Sequence, residues 1–282
     1  MTLPSSPAAI GIFDSGVGGL SVLRAIRTQL PHHPVIYLAD QGHVPYGTRT
    51  KEEVRSFAEA ITRFLLDRGA RVIVVACNAA SAASLYYLRE TFPDVPFVGM
   101  EPAVKPAAAE TRSGVIGVLA TPVTFQGELF ASVVERFAVG KTVLTDTCPG
   151  LVHQIETGQV DAPRTREILE QALRPMLAQG MDTVVMGCTH YPFAIPVIRQ
   201  IVGPEVKVID PAPAVARQTE RVLAAHKWLE RPREETGLNC SEPATVCFYT
   251  TGDPPQLKEM LPILLGQEHV VKYVQWRTGT LH

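Results

Sequence analysis

The stretch ARVIVVAC, residues 70–77, sets Val, Ile, Val and Val on four consecutive positions and closes on a cysteine. A strand that is apolar on consecutive positions is covered on both faces, which marks a parallel sheet enclosed by helices. Working outward, runs of the same kind alternate with longer amphipathic stretches. Toward the N-terminus, AAIGIFD (8–14) precedes a helical pattern from about Gly19 to Leu30, and PVIYLAD (34–40) precedes one from about Lys51 to Arg68. Toward the C-terminus come a helix through Ser81 to Thr91, VPFVGM (95–100), SGVIGVLAT (113–121), and a helix from Phe125 to Phe137. KTVLTDT (141–147), a helix from Arg164 to Gln179, MDTVVMGC (181–188), a helix near Ala194 to Ile201 and VKVIDP (206–211) continue the series. The polar, turn-rich LERPREETGLNCSEPA (229–244) reads as a surface excursion before a last strand, TVCFYTT, a helix from about Pro255 to Leu265, and HVVKYV. This βαβ rhythm predicts an α/β protein built on mostly parallel sheets covered by helices.

The length of 282 residues is near twice the usual domain size, so two domains are expected, and 46% apolar residues suffice to core both. Basic and acidic side chains, 26 against 28, give a formal charge of −2. The cations are scattered, with no block or stripe to follow a phosphate backbone, so nucleic acid is not expected as a primary partner. The start, MTLPSSPAAI, has no basic residue ahead of an apolar core. Charge interrupts every long apolar stretch before it could span a bilayer, so a cytoplasmic protein without membrane contact is expected. Five cysteines without CxxC spacing suggest neither a disulfide framework nor a zinc cluster, but free thiols in a reducing compartment.

Ligands of open α/β sheets sit beyond the carboxyl ends of the strands. Here those ends are small and polar: Asp14 and Ser15, Asp40, Cys77 and Asn78, Thr121 and Thr124, then Cys188, Thr189 and His190. Cys77 and Cys188 lie 188 − 77 = 111 residues apart, and each follows an apolar run and a small residue and precedes a polar one. The pattern is a weak internal repeat. Two such half-sites on two similar domains would share a cleft. Alone, either cysteine is a small buried hydrophobe; the pair, with His190 two residues from one thiol, points to chemistry. Cys148, Cys240 and Cys247 keep structural roles, and His43 and the remaining histidines are solvated or packed. The glycines of DSGVGGLS do not make a dinucleotide site, because Ser21 stands at the third glycine of GxGxxG, nor a P-loop, because Val17 stands where Lys is needed. They let the chain turn into a helix whose free N–H groups can hold an anion such as a carboxylate.

The blocks GIFDSGVGGLSV (11–22), YLADQGHVPYGTR (37–49), VVACNAASA (74–82), GVIGVLATPVT (114–124), CPGLVHQIETG (148–158), VVMGCTHYPF (184–193) and FYTTGDP (248–254) resemble the glutamate racemases of the cofactor-independent amino-acid racemase superfamily. The resemblance runs over nearly the whole chain. It implies two α/β domains, residues 1–100 plus 211–282 and residues 101–210, with the active site in the cleft between them and a homodimer as the assembly. It implies that Asp14 serves Cys77, that His190, assisted by Glu156, serves Cys188, and that Cys77 takes the proton from the D enantiomer and Cys188 from the L. It also implies that Asp14, Ser15, Pro45, Tyr46, Gly47, Asn78, Ala79, Thr121, Thr124, Thr189 and His190 surround the substrate, with no cofactor and no metal. D-Glutamate for peptidoglycan in a bacterial cytoplasm follows on the same ground.

The chemistry of the residues agrees. Inverting a stereocentre by proton transfer needs an acid–base on each face of the α-carbon, and a thiol with an ordinary pKa of ~8.5 becomes a base at neutral pH only with help from a neighbour. One position departs from the family pattern: Ala79 stands where Cys-Asn-Thr would supply a hydroxyl. Three other readings stay open on the residues: a racemase for aspartate or another amino acid, a Cys188–His190 hydrolase that leaves Cys77 without a task, and a binding module without turnover.

Overall fold

A computed structural model describes residues 8–229 and 244–282. The start of the chain, most of the polar excursion and Cys240 therefore lie outside the described residues. The first apolar run forms β1 (Ala9–Asp14), followed by a glycine-rich turn into α1 (Leu20–Gln29) and by β2 (Val35–Ala39). The start of α2 (Lys51–Asp67) is fixed by a capping box: the Thr50 hydroxyl accepts from the Glu53 N–H, and the Glu53 carboxylate accepts from the Thr50 N–H. Next come β3 (Ala70–Val75), α3 (Asn78–Thr91), β4 (Phe97–Gly99) and α4 (Val104–Glu110). The second half starts with β5 (Val115–Leu119), α5 (Pro122–Gln126), α6 (Glu128–Phe137), β6 (Thr142–Asp146) and α7 (Leu151–Glu156). It continues with α8 (Pro163–Ala178), β7 (Thr183–Met186), α9 (Ile195–Val202) and β8 (Lys207–Ile209). The chain closes with α10 (Ala212–Ala225), β9 (Val246–Thr250), α11 (Pro254–Leu265), β10 (Val271–Tyr273) and a hairpin of β11 (Trp276–Arg277) and β12 (Thr280–Leu281).

The strands form a sheet in the order β10-β9-β2-β1-β3-β4 and a second sheet in the order β6-β5-β7-β8, and every pairing within both is parallel. Consecutive apolar residues have the consequence expected of them. Ile10, Ile12, Val72 and Val74 pack in the core on the side of α1 and α10, whereas Phe13, Ile73 and Val75 pack on the side of α2 and α3. Each such side chain contributes roughly 1.5–3 kcal/mol by leaving water. The stretch β2-β1-β3-β4 and the whole second sheet share one order, in which the third strand in sequence lies beside the first. Cys77 follows the third strand of one set and Cys188 that of the other, so the internal repeat read in the sequence has a topological counterpart. We propose the domain limits 1–100 plus 211–282 and 101–210, since β9 and β10 extend the first sheet.

Several local features differ from the sequence reading, which also places no helix at α4 or α7. The helix expected over Phe125 to Phe137 is two, because Gly127 adopts an extended conformation between them. A Cβ on Gly127 would lie 3.0 Å from Ala82 Cβ, so the break lets α5 approach α3. α3 begins at Asn78, three residues before the expected Ser81, since Cys77 itself caps it. The pattern assigns no element to residues 212–225, yet α10 forms there, with Pro213 in its first turn, where a missing N–H costs no helical bond. Among the described residues no helix is long and apolar enough to cross a membrane.

Candidate active site

The carboxyl ends of β1, β3 and β7 meet at one small cavity of about 20 Å³, room for about one water molecule. β3 runs through Ala76 into Cys77, whose backbone is extended and whose sulfur caps α3 by accepting the Ala80 N–H at 3.4 Å. β7 runs through Gly187 into Cys188, Thr189 and His190. At Gly187 a Cβ would stand 2.7 Å from Ala120 Cβ, so only glycine lets β7 press this closely on the end of β5. Both thiols line the cavity and both are buried.

Each thiol has its own surroundings. Cys188 Sγ is 3.7 Å from His190 Nδ1, and His190 Nε2 is 2.6 Å from Glu156 Oε1. Burial works against a charge on His190, but its hydrogen bonds to Cys188 and Glu156 hold the imidazole well above its ordinary value. For Glu156 burial acts to raise the carboxyl, yet the contacts with His190, the Val17 N–H and Gln41 outweigh it and hold it low. The pair is therefore imidazolium and carboxylate at neutral pH. Cys77 has no such neighbour. Its sulfur lies 3.9 Å from Ser15 Oγ, and burial, reinforced by the negative charge of Asp14, pushes its thiol far up, so that it rests as a neutral S–H.

Asp14 acts on Cys77 through charge. Its oxygens take hydrogen bonds elsewhere, Oδ1 from the Gly16 N–H at 2.9 Å and Oδ2 from the Thr189 hydroxyl at 3.0 Å. Burial raises its own carboxyl, against the pull of the His190 charge and these two bonds. The anion held at the glycine turn proves to be one of the chain's own: the Val17 N–H donates to Glu156 Oε1 at 2.8 Å. Glycine is required there by proximity. A Cβ on Gly16 would sit 1.9 Å from Glu156 Oε1, and one on Gly18 would sit 2.5 Å from His190 Nδ1.

Most of the residues expected at the site line the cavity: Ser15, Pro45, Tyr46 and Gly47 on the first-sheet side, Asn78 and Ala79 beside Cys77, and Thr121, Thr189 and His190 on the other side. Asp14, Thr124 and Glu156 stand behind that wall, Thr124 with its hydroxyl 3.1 Å from that of Thr121. Tyr46 is held by its hydroxyl on Asp40 at 2.6 Å. Asn78 is buried, and its Nδ2 and Oδ1 have no hydrogen-bond partner among the described residues. A buried, unpaired amide costs about 1–3 kcal/mol for each group, which a ligand at the cavity would relieve. One lining residue escaped the sequence reading. Val152, on α7, lies one helical turn before Glu156, so that α7 offers an apolar side chain to the cavity and a carboxylate to His190. The signal available was the i, i+4 spacing inside CPGLVHQIETG. Wider clefts exist on the surface, as between α2–α3 and α5–α6 at Arg49, Tyr86 and Gln126, but that cleft has no thiol in its walls.

The arrangement supplies two thiols at one small cavity, Cys77 beside Ser15 and Cys188 beside the His190–Glu156 pair. A family model described as Asp/Glu/Hydantoin racemase matches residues 18–219. A glutamate racemase of Stutzerimonas stutzeri is 48% identical over 266 residues, covering 94% of this chain and 97% of that protein. Among solved structures, a glutamate racemase isoform from Bacillus anthracis superposes with a TM-score of 0.83 at 30% identity, covering 97% of this chain and 98% of that one. The Escherichia coli glutamate racemase, solved with L-glutamate and the activator UDP-MurNAc-ala, gives 0.78 at 31% identity, covering 95% and 98%.

Proposed function

The chain belongs to the Asp/Glu/hydantoin racemase family, and from that membership we propose that it interconverts L- and D-glutamate by proton transfer at the α-carbon between Cys77 and Cys188. The observation that carries the reading is that two thiols, each placed by the corresponding strand of its own sheet, line one small cavity. In the L-to-D direction the α-C–H bond breaks and its proton passes to the Cys188 sulfur, acting as a thiolate with the His190 imidazolium beside it as counter-charge. The carbanion keeps the electron pair, and the Cys77 S–H delivers its proton to the opposite face. The reverse direction exchanges the two roles.

Asn78 suits both ends of an amino acid, Oδ1 accepting from the ammonium and Nδ2 donating to the α-carboxylate. The hydroxyls of Ser15, Thr121 and Thr189 add neutral partners for the same groups. The substrate is glutamate on the strength of the relatives, and the assembly proposed by resemblance is a cytoplasmic homodimer whose D-glutamate goes to peptidoglycan. Purified protein given L-glutamate alone should lose optical rotation to zero, with aspartate turned over at least ~100-fold more slowly. Cys77→Ala and Cys188→Ala should each abolish turnover in both directions. Full activity in Cys77→Ala, or faster turnover of aspartate, would overturn the mechanism or the substrate respectively.

A further inference from the structure

Glu156 is held from three parts of the chain. Oε1 accepts from the Val17 N–H, on the turn after β1, and from His190 Nε2, after β7; Oε2 accepts from Gln41 Nε2 at 3.3 Å, just after β2. The first two bonds share one oxygen. The third holds the other oxygen and adds to the restraint on the carboxylate's rotation about its last bond.

An amide can present either end, and here a hydroxyl chooses. Thr250 Oγ1, at the end of β9, accepts the Gly252 N–H at 3.0 Å, so its own proton points outward to Gln41 Oε1 at 2.9 Å. The NH2 end of Gln41 is thereby left for Glu156, which as a carboxylate can only accept. The same loop presses on Gln41 from behind, since a Cβ on Gly252 would stand 2.7 Å from Gln41 Cβ, and it is tied again by the Gly42 N–H donating to Thr251 Oγ1 at 2.9 Å. Donation runs from Thr250 to Gln41 and from Gln41 to Glu156, while His190 Nε2 donates to Glu156 from the other side, so both arms converge on the carboxylate and leave His190 Nδ1 facing Cys188.

We infer that Gln41 is a positioning residue for the acid–base on the Cys188 side, turning Glu156 onto His190, and that Thr250 fixes the direction of its amide. This rests on the two-thiol reading above. A strand from the far end of the chain thus sets the aim of one of the two bases, while Cys77 has no comparable tie.

The one-sidedness gives the test. When deuterated L-glutamate reacts, the Cys188 side breaks the labelled bond; when deuterated D-glutamate reacts, the Cys77 side does. Gln41→Leu keeps the bulk and removes the amide. It should lower kcat about three- to tenfold with a smaller change in KM. The isotope effect with α-deuterated L-glutamate should rise and that with α-deuterated D-glutamate should fall. Thr250→Val should move both effects in the same sense by less, and Thr250→Ser, which keeps the hydroxyl, should restore what Thr250→Val loses. His190→Asn serves as the reference and should move the isotope effects further in the same direction. If His190→Asn leaves their ratio unchanged, the two-thiol reading falls. If His190→Asn shifts the ratio while Gln41→Leu and Thr250→Val leave it at the parent value, whatever their effect on kcat or melting temperature, Gln41 is only a packing residue and the inference is overturned.

Discussion

Ala79 lies in the cavity wall, 4% exposed and next to the unpartnered Asn78, at a position where the resemblance read in the sequence would put a hydroxyl. If that hydroxyl makes one hydrogen bond to the bound substrate, worth about 0.5–1.5 kcal/mol, Ala79→Thr should lower the KM for glutamate roughly two- to twelvefold and change kcat less. A fall of turnover together with binding would show that the wall has closed around the methyl group. His190 and Glu156 give a second expectation at this scale. His190 is raised in the folded state, so its contribution to stability is fully present below its unfolded value of about 6.5 and is lost as pH rises through the folded value. Glu156 is lowered, so its contribution is present above its unfolded value of about 4.3 and is lost as pH falls through the folded one. The melting temperature lost by His190→Asn should therefore be greatest between about pH 4.5 and 6.5 and should shrink toward high pH; a loss independent of pH would show that the pair does not titrate in this way. The thiols, His190 and the hydroxyls were legible in the sequence because their residue types are chemically distinctive. Val152 and Gln41 were not: a valine and a glutamine carry no such mark, and their tasks exist only once α7 and the β9 loop are in place.

Elements were readable to the extent that their own pattern determined them. The Val and Ile runs gave the strands, since consecutive apolar residues admit few other placements. α10, with prolines around its start, was missed because its helical form depends on packing against α1, β3 and β4. The break at Gly127 depends on Ala82, which is distant in sequence. The glycine turn between β1 and α1 was read as flexible backbone for an anion, and the structure adds that it is also a contact surface for the opposite half of the site. Gly18 makes this testable, because its φ is not left-handed and alanine there is strained only by its neighbours. Gly18→Ala should fold, yet push Thr189 and His190 away from the turn, and a shift of about 1 Å at a reacting group is worth roughly 100-fold in rate. Near-parental kcat in a folded Gly18→Ala protein would show that this contact does not set the geometry.

At the scale of the whole molecule, the repeat of strand order matters more than either sheet alone. Two sets of four parallel strands, β2-β1-β3-β4 and β6-β5-β7-β8, each deliver a cysteine after the strand that lies beside the first, and the cavity forms where the two deliveries meet. The 111-residue spacing made the pairing visible in the sequence, but the distance from each thiol to its helper could be read only from the fold. Under the proposed mechanism the proton removed and the proton delivered belong to different groups on opposite faces of one carbon. The most direct measurement is the racemisation of L-glutamate in heavy water, stopped early, with deuterium at the α-carbon followed separately in both enantiomers. Two thiols acting in this way place deuterium in the D-glutamate formed while the remaining L-glutamate is still unlabelled. Deuterium entering the L-glutamate pool as fast as it enters the product would mean that one base serves both faces, and would contradict the division of work between Cys77 and Cys188.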